Sequence, residues 1–141
     1  MADQTYWDDL NEGDEVTLTE AMSSQRLVVW AAASGDFYQI HYDDDFAKGN
    51  SLPDIIVHGA LKGMLVGRLL DELCGEEGTI KQWDVSYRGM DIARHDVVVH
   101  GTVTKKYEEG GQHLLDLNVG VRTDEGNETT PGTATVALPS R

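Results

Sequence analysis

Two side chains able to exchange protons stand five residues apart in the stretch Ala32-Ala33-Ser34-Gly35-Asp36-Phe37-Tyr38-Gln39-Ile40-His41. A water held between a carboxylate and an imidazole can lose a proton to one and have it replaced by the other. One loop presenting both groups to one cavity would place them roughly 3 to 6 Å apart, within reach of a single bridging water. Spacing alone leaves the reading open, since an Asp and a His five apart are common by chance. A second stretch, Ile56-Val57-His58-Gly59-Ala60-Leu61, puts Gly59 at the head of an apolar segment. The first amides of a helix lack internal partners and carry the positive end of the dipole. An amide at Gly59 could therefore hold an oxygen on which charge develops. An ordinary glycine at a helix start fits the same pattern.

These groups need elements to carry them. Asp14 to Glu20 alternates Val16 and Leu18 with polar residues, as a short strand does. Ser23 or Ser24 reads as an N-cap for a helix over Gln25 to Ala33, which Ser34-Gly35-Asp36 ends because glycine suits the C′ position. Asp43-Asp44-Asp45-Phe46-Ala47-Lys48 reads as one helical turn with a solvated start. Ala60 to Cys74 repeats Leu61, Met64, Leu65, Leu69 and Leu73 at spacings of three and four, the mark of a helix closed by Gly75. Gly63 and Gly67 on it suggest tight packing against another backbone, or extra room beside the helix. Thr79 to Arg88, Asp96 to Tyr107, Gln112 to Thr123 and Gly132 to Leu138 read as strands. Turns at Glu108-Glu109-Gly110-Gly111 and Asp124-Glu125-Gly126-Asn127 make the last three a meander. An antiparallel sheet curling around one long helix buries both, which is an α+β fold. Trp7, Trp30 and Trp83 read as core or interface, and His100 and His113 as surface residues.

Composition narrows the classes. The 141 residues suit a single domain over 1–141. A net charge of −14 argues against nucleic acid, whose phosphates need basic surface. It fits either an ordinary acidic protein or one adapted to high salt. No stretch approaches the ~18 apolar residues of a membrane helix. The acidic N-terminus lacks the apolar core of a secretory signal. The lone Cys74 forms no intrachain disulfide. A cytoplasmic location is the expectation.

Taken together, the two stretches resemble the MaoC-like, or (R)-specific enoyl-CoA hydratase, signature of the hot dog fold: Ser/Thr-Gly-Asp-x-Asn-Pro-x-His, followed by His-Gly-Met-Leu at the central helix. Gly35, Asp36 and His41 match the first part; His58, Gly59 and Leu61 match the second, with Ala60 in place of Met. Tyr87-Arg88, Gly101-Thr102-Val103 and the ending from Gly132 to Pro139 extend the resemblance over essentially the whole chain. It implies an antiparallel sheet wrapped around a long central helix, with an overhanging loop carrying the catalytic residues. Asp36 and His41 then activate the water added across a trans-2-enoyl thioester, and the Gly59 amide is the oxyanion donor. Tyr38, His58 and Gly67 are candidate substrate-side positions, and room beside Gly63 and Gly67 would suit a longer or bulkier acyl chain than crotonyl. Tyr38 could line the acyl pocket or cover the loop, and His58 reads better as a structural hydrogen-bonding residue than as a base. The resemblance implies no metal and no redox cofactor. The acyl carrier is coenzyme A or acyl carrier protein, and an anionic carrier calls for a basic patch, with Arg88, Arg94, Lys105 and Lys106 as candidates. A homodimer is expected, or a heteromer with a second MaoC-like chain.

Three departures stand out. Tyr38-Gln39 replaces the Asn-Pro that orders the catalytic loop. Gly67 replaces a helix serine. His95-Asp96 replaces a Gly-Asp before a strand. The first two keep alive an acyl-binding or scaffold half of a heteromer. A hot dog thioesterase would instead place a carboxylate within the central helix, whose interior charges are Lys62 and Arg68.

Overall fold

The computed structural model describes residues 3–141. Its framework is a five-stranded antiparallel sheet of β1 (Glu15–Ala21), β2 (Thr79–Val85), β3 (Asp96–Glu109), β4 (Gln112–Thr123) and β5 (Glu128–Leu138), in the order β1-β3-β4-β5-β2. The expected meander is β3-β4-β5, and β1 and β2 close its two sides. Helix α1 (Ser24–Ser34), the short α2 (Asp44–Gly49) and the long α3 (Gly59–Cys74) complete the fold.

The sheet's two-residue period makes one continuous apolar face. Val97, Val99 and Val103 of β3 are buried with Leu115, Leu117, Val119 and Val121 of β4 and Ala134, Val136 and Leu138 of β5. The helical period of α3 supplies the opposing stripe, Leu61, Leu65, Leu69 and Leu73, all buried in the same cluster. Burying one such side chain is worth about 1.5–3 kcal/mol, so this seam fixes where α3, and hence Gly59 at its head, must lie. An antiparallel sheet wrapped on one long helix is the hot dog arrangement.

Several expectations need correction. Strand β5 begins at Glu128, ahead of Gly132, although Pro131 lies within it. The proline is tolerated because β2 ends opposite Gly132, so no strand asks for its missing amide proton. Gly63 and Gly67 do not meet a backbone. A Cβ on Gly63 would lie 2.6 Å from the Tyr87 hydroxyl, and one on Gly67 would lie 3.2 Å from the Trp83 indole. The space beside the helix is taken by these aromatic side chains, so the glycines supply no spare room for a bulky acyl group. His100 is buried: it does face away from α3, but its β4 partner is Gly120, and the Glu128 carboxylate folds over to meet its Nε2 at 2.5 Å. His113 is half-buried, its ring centroid 4.9 Å from that of Trp7.

The four basic residues do not form one patch. Arg94 is claimed by Asp54, with both carboxylate oxygens 2.9 Å away. Lys105 and Lys106 lie at the far end of β3, about 30 Å along the strand at its usual rise. Lys106 donates to the Leu10 carbonyl at 2.7 Å. Arg88 has no ion-pair partner among the described residues. No helix among them is long and apolar enough to cross a membrane.

Candidate active site

The loop after α1 is built from its own sequence. Ser23 caps the helix start by accepting from the Arg26 amide at 3.2 Å. Gly35 ends the helix at φ 78°, a left-handed conformation that suits a residue without a Cβ. The chain then turns: Ser34 Oγ accepts from the Asp36 amide (3.2 Å), and Asp36 Oδ1 accepts from the Tyr38 amide (3.3 Å). A 3-10 turn over Gln39–His41 follows, in which the His41 amide donates to the Tyr38 carbonyl at 3.1 Å. The Tyr38 backbone therefore ties the loop where the family pattern has Asn.

A second segment locks this loop against α3. The Ile56 amide donates to the Ile40 carbonyl at 3.0 Å, and His41 Nδ1 donates to the Ile56 carbonyl at 2.7 Å. That bond puts the proton on Nδ1 and leaves the Nε2 lone pair free. It faces Asp36 Oδ2 at 3.8 Å. His41 is buried, whereas the Asp36 side chain is about half exposed at 47%. Two proton acceptors thus face one another at the edge of solvent, with a separation that suits a shared water.

Beneath them lies His58, fully buried, its ring stacked on that of His41 at a centroid distance of 3.8 Å and 19° between planes. Its Nε2 donates to the Asp36 backbone carbonyl at 3.1 Å. Burial, and next the neighbouring His41, push its pKa below the ordinary histidine value. Gly59 follows as the first residue of α3, where an amide has no acceptor within the helix. The Tyr87 ring covers this glycine, reaching within 3.3 Å of where a Cβ would stand.

Donor atoms of Asp36, His41 and His58 lie within 4.8 Å of one another. The two imidazoles are nearly parallel, so their in-plane lone pairs run side by side instead of converging on one cation. A carboxylate and an imidazole flanking a water use the geometry better. Tyr38 is half exposed, edge-on to His41 at 6.3 Å and to Phe46 at 5.9 Å. Gly67 is not gathered here; it lies two turns further along α3, about 12 Å by helical rise.

Two features escaped the sequence reading. Tyr87 figured there only as part of a strand and of a resemblance, yet it lies against Gly59. Lys62, one turn into α3, is buried and pairs with Asp91 Oδ2 at 2.6 Å, while the same oxygen accepts from Thr129 Oγ at 2.7 Å. Asp91 in turn offers its backbone carbonyl to the Val57 amide at 2.9 Å, beside His58. A lysine on a helix ordinarily signals the solvent side, and nothing in its spacing distinguished this one.

The MaoC like domain model matches residues 8–124. The (R)-specific enoyl-CoA hydratase of Aeromonas caviae is 27% identical over 135 residues, spanning 92% of this chain and 96% of the relative. The solved (R)-hydratase from A. caviae involved in PHA biosynthesis superposes with a TM-score of 0.82 at 27% identity, covering 92% of this chain and 98% of that one. Fatty acid synthase beta subunit hexB of Dothistroma septosporum is 33% identical over 125 residues, or 79% of this chain, which spans only 6% of that relative's length.

Proposed function

Because the chain belongs to the MaoC-like domain family of hydratases and dehydratases, we propose that it adds water reversibly to a trans-2-enoyl thioester of coenzyme A or acyl carrier protein, giving the (R)-3-hydroxyacyl product. The observation that carries this reading is the 3.8 Å approach of Asp36 Oδ2 to the free lone pair of His41 Nε2. A water between them donates one hydrogen to each, which leaves its oxygen lone pairs free for the substrate. As its O–H bond breaks, the C3–O bond forms and the C2–C3 π electrons move onto the thioester oxygen. The Gly59 amide would hold that enolate oxygen. The enolate then takes a proton at C2 from the protonated member of the pair. Both additions come from one side of the acyl plane, so the hydration is syn. The Ile56 carbonyl, accepting from His41 Nδ1, favours the imidazolium as it forms.

The acting unit proposed is a dimer, because β1 and β2 each leave one edge unpaired. The test is a panel of trans-2-enoyl thioesters of increasing chain length on both carriers, with chiral analysis of the product and light scattering of the enzyme. Turnover to the (R) alcohol by a particle of twice the 15.5 kDa chain mass is expected. Turnover of no member would contradict the reading and assign the chain to the scaffold half of a heteromer.

A further inference from the structure

His58 is costly to bury. Its Nε2–H is used on the Asp36 carbonyl, which leaves Nδ1 unprotonated, and that atom is buried without a hydrogen-bond partner. An acceptor buried without a partner is destabilising. A residue that merely filled this space would do better as Leu or Phe. What the imidazole provides, and an aliphatic side chain would not, is a flat face and an edge donor together. Its face lies on His41; its edge holds the backbone of Asp36; its own peptide leads into Gly59. One residue therefore adjoins every group assigned to the reaction, through its ring at His41 and Asp36 and through its backbone at Gly59.

We propose that His58 is a positioning residue of the hydration, holding Asp36 and His41 in register with each other. This rests on the reading of Asp36 and His41 as the reacting pair. The titratable groups around it set its own state. His41 faces it from the loop and Asp36 lies at its edge, while Lys62, one turn along α3, is already paired with Asp91. With His41 stacked on it, His58 stays neutral while a proton passes to His41, since two charged imidazoles at 3.8 Å would repel. The proton taken from water is thereby directed to the ring whose Nδ1–H is braced by Ile56.

Two variants separate the two contacts. His58→Phe keeps a flat ring against His41 and removes the donor to Asp36. His58→Gln keeps a donor and removes the ring. Each is expected to lower kcat by about 10- to 100-fold, the scale of a small misplacement of reacting groups, with KM changed less than about twofold. Circular dichroism and melting temperature report whether each variant folds. A readout independent of turnover is ¹⁵N NMR of the imidazoles. In the wild type, His41 should show the Nδ1–H tautomer and His58 the Nε2–H tautomer. In both variants the His41 tautomer ratio should move. Folded variants with wild-type kcat and an unmoved His41 tautomer ratio would overturn the proposal, as would a wild-type His58 in the Nδ1–H tautomer. If the wild type hydrates no thioester but the NMR results hold, the positioning contact stands and the reaction assignment falls.

Discussion

At the scale of single residues, two acceptors of one loop face each other because their other hydrogen-bonding capacity is used up. Asp36 Oδ1 takes the Tyr38 amide and His41 Nδ1 gives its proton to Ile56, so Oδ2 and Nε2 are what remain. The sequence showed the pair and its spacing. It could not show the tautomer, which depends on a carbonyl fifteen residues away. Nor could it show the stacking of His58, for a histidine ahead of a helix has many possible neighbours. His58 also gives stability a pH dependence. Its pKa is held below the unfolded value of about 6.5, so below that pH the unfolded chain binds a proton that the native state refuses. Stability should then fall as pH drops through and below about 6.5. Asp54 and Glu15, whose carboxyls are held below their ordinary values by the Ile55 amide and by Arg122 respectively, weaken the fold only at lower pH. Urea titrations of wild type and His58→Phe across that window should show a flatter slope in the variant. Equal slopes would contradict the assignment.

At the scale of elements, periodicity was a good guide wherever burial is one-sided. The three-and-four spacing in α3 and the alternation in β3 and β4 gave elements within a residue or two of those observed. It was a poor guide where a long-range partner decides. The last strand read as starting at Gly132, but β5 starts at Glu128 and accommodates Pro131, because β2 stops just short of demanding an amide from it. Tyr87 read as part of a strand over Thr79 to Arg88, but β2 ends at Val85, which frees the ring to cross α3 at Gly59 and Gly63. Lys62 anchors the first turns of α3 through Asp91, and neither side chain is more than 2% exposed. Removing one member leaves the other charged and buried, so Asp91→Ala should cost about 3–5 kcal/mol. The double replacement Lys62→Met with Asp91→Leu should recover most of that loss. Denaturant midpoints of the two singles and the double measure it, and singles that cost no more than the double would contradict a mutually compensating pair.

At the scale of the whole molecule, a sheet wrapped on α3 brings three separate stretches to one place: the loop after α1, the segment Ile55 to Gly59, and the turn carrying Tyr87. Fold and family were legible because the resemblance spans nearly the chain and the apolar periods agree with it. The space beside α3 was not: Tyr87 and Trp83 fill what the glycines alone suggested was open. The net charge of −14 likewise said little about the site, where the pair is arranged by backbone carbonyls and amides. The proposed action of Asp36 and His41 on one water is tested most directly by the steady-state hydration rates of wild type, Asp36→Asn, His41→Ala and the double variant on one enoyl-CoA. Asp36→Asn is nearly isosteric and should fold. Each single change should lower kcat by about 10²- to 10⁴-fold, and the double should fall far short of the product of the two losses. Unchanged turnover in folded Asp36→Asn, or fully multiplicative losses, would contradict it.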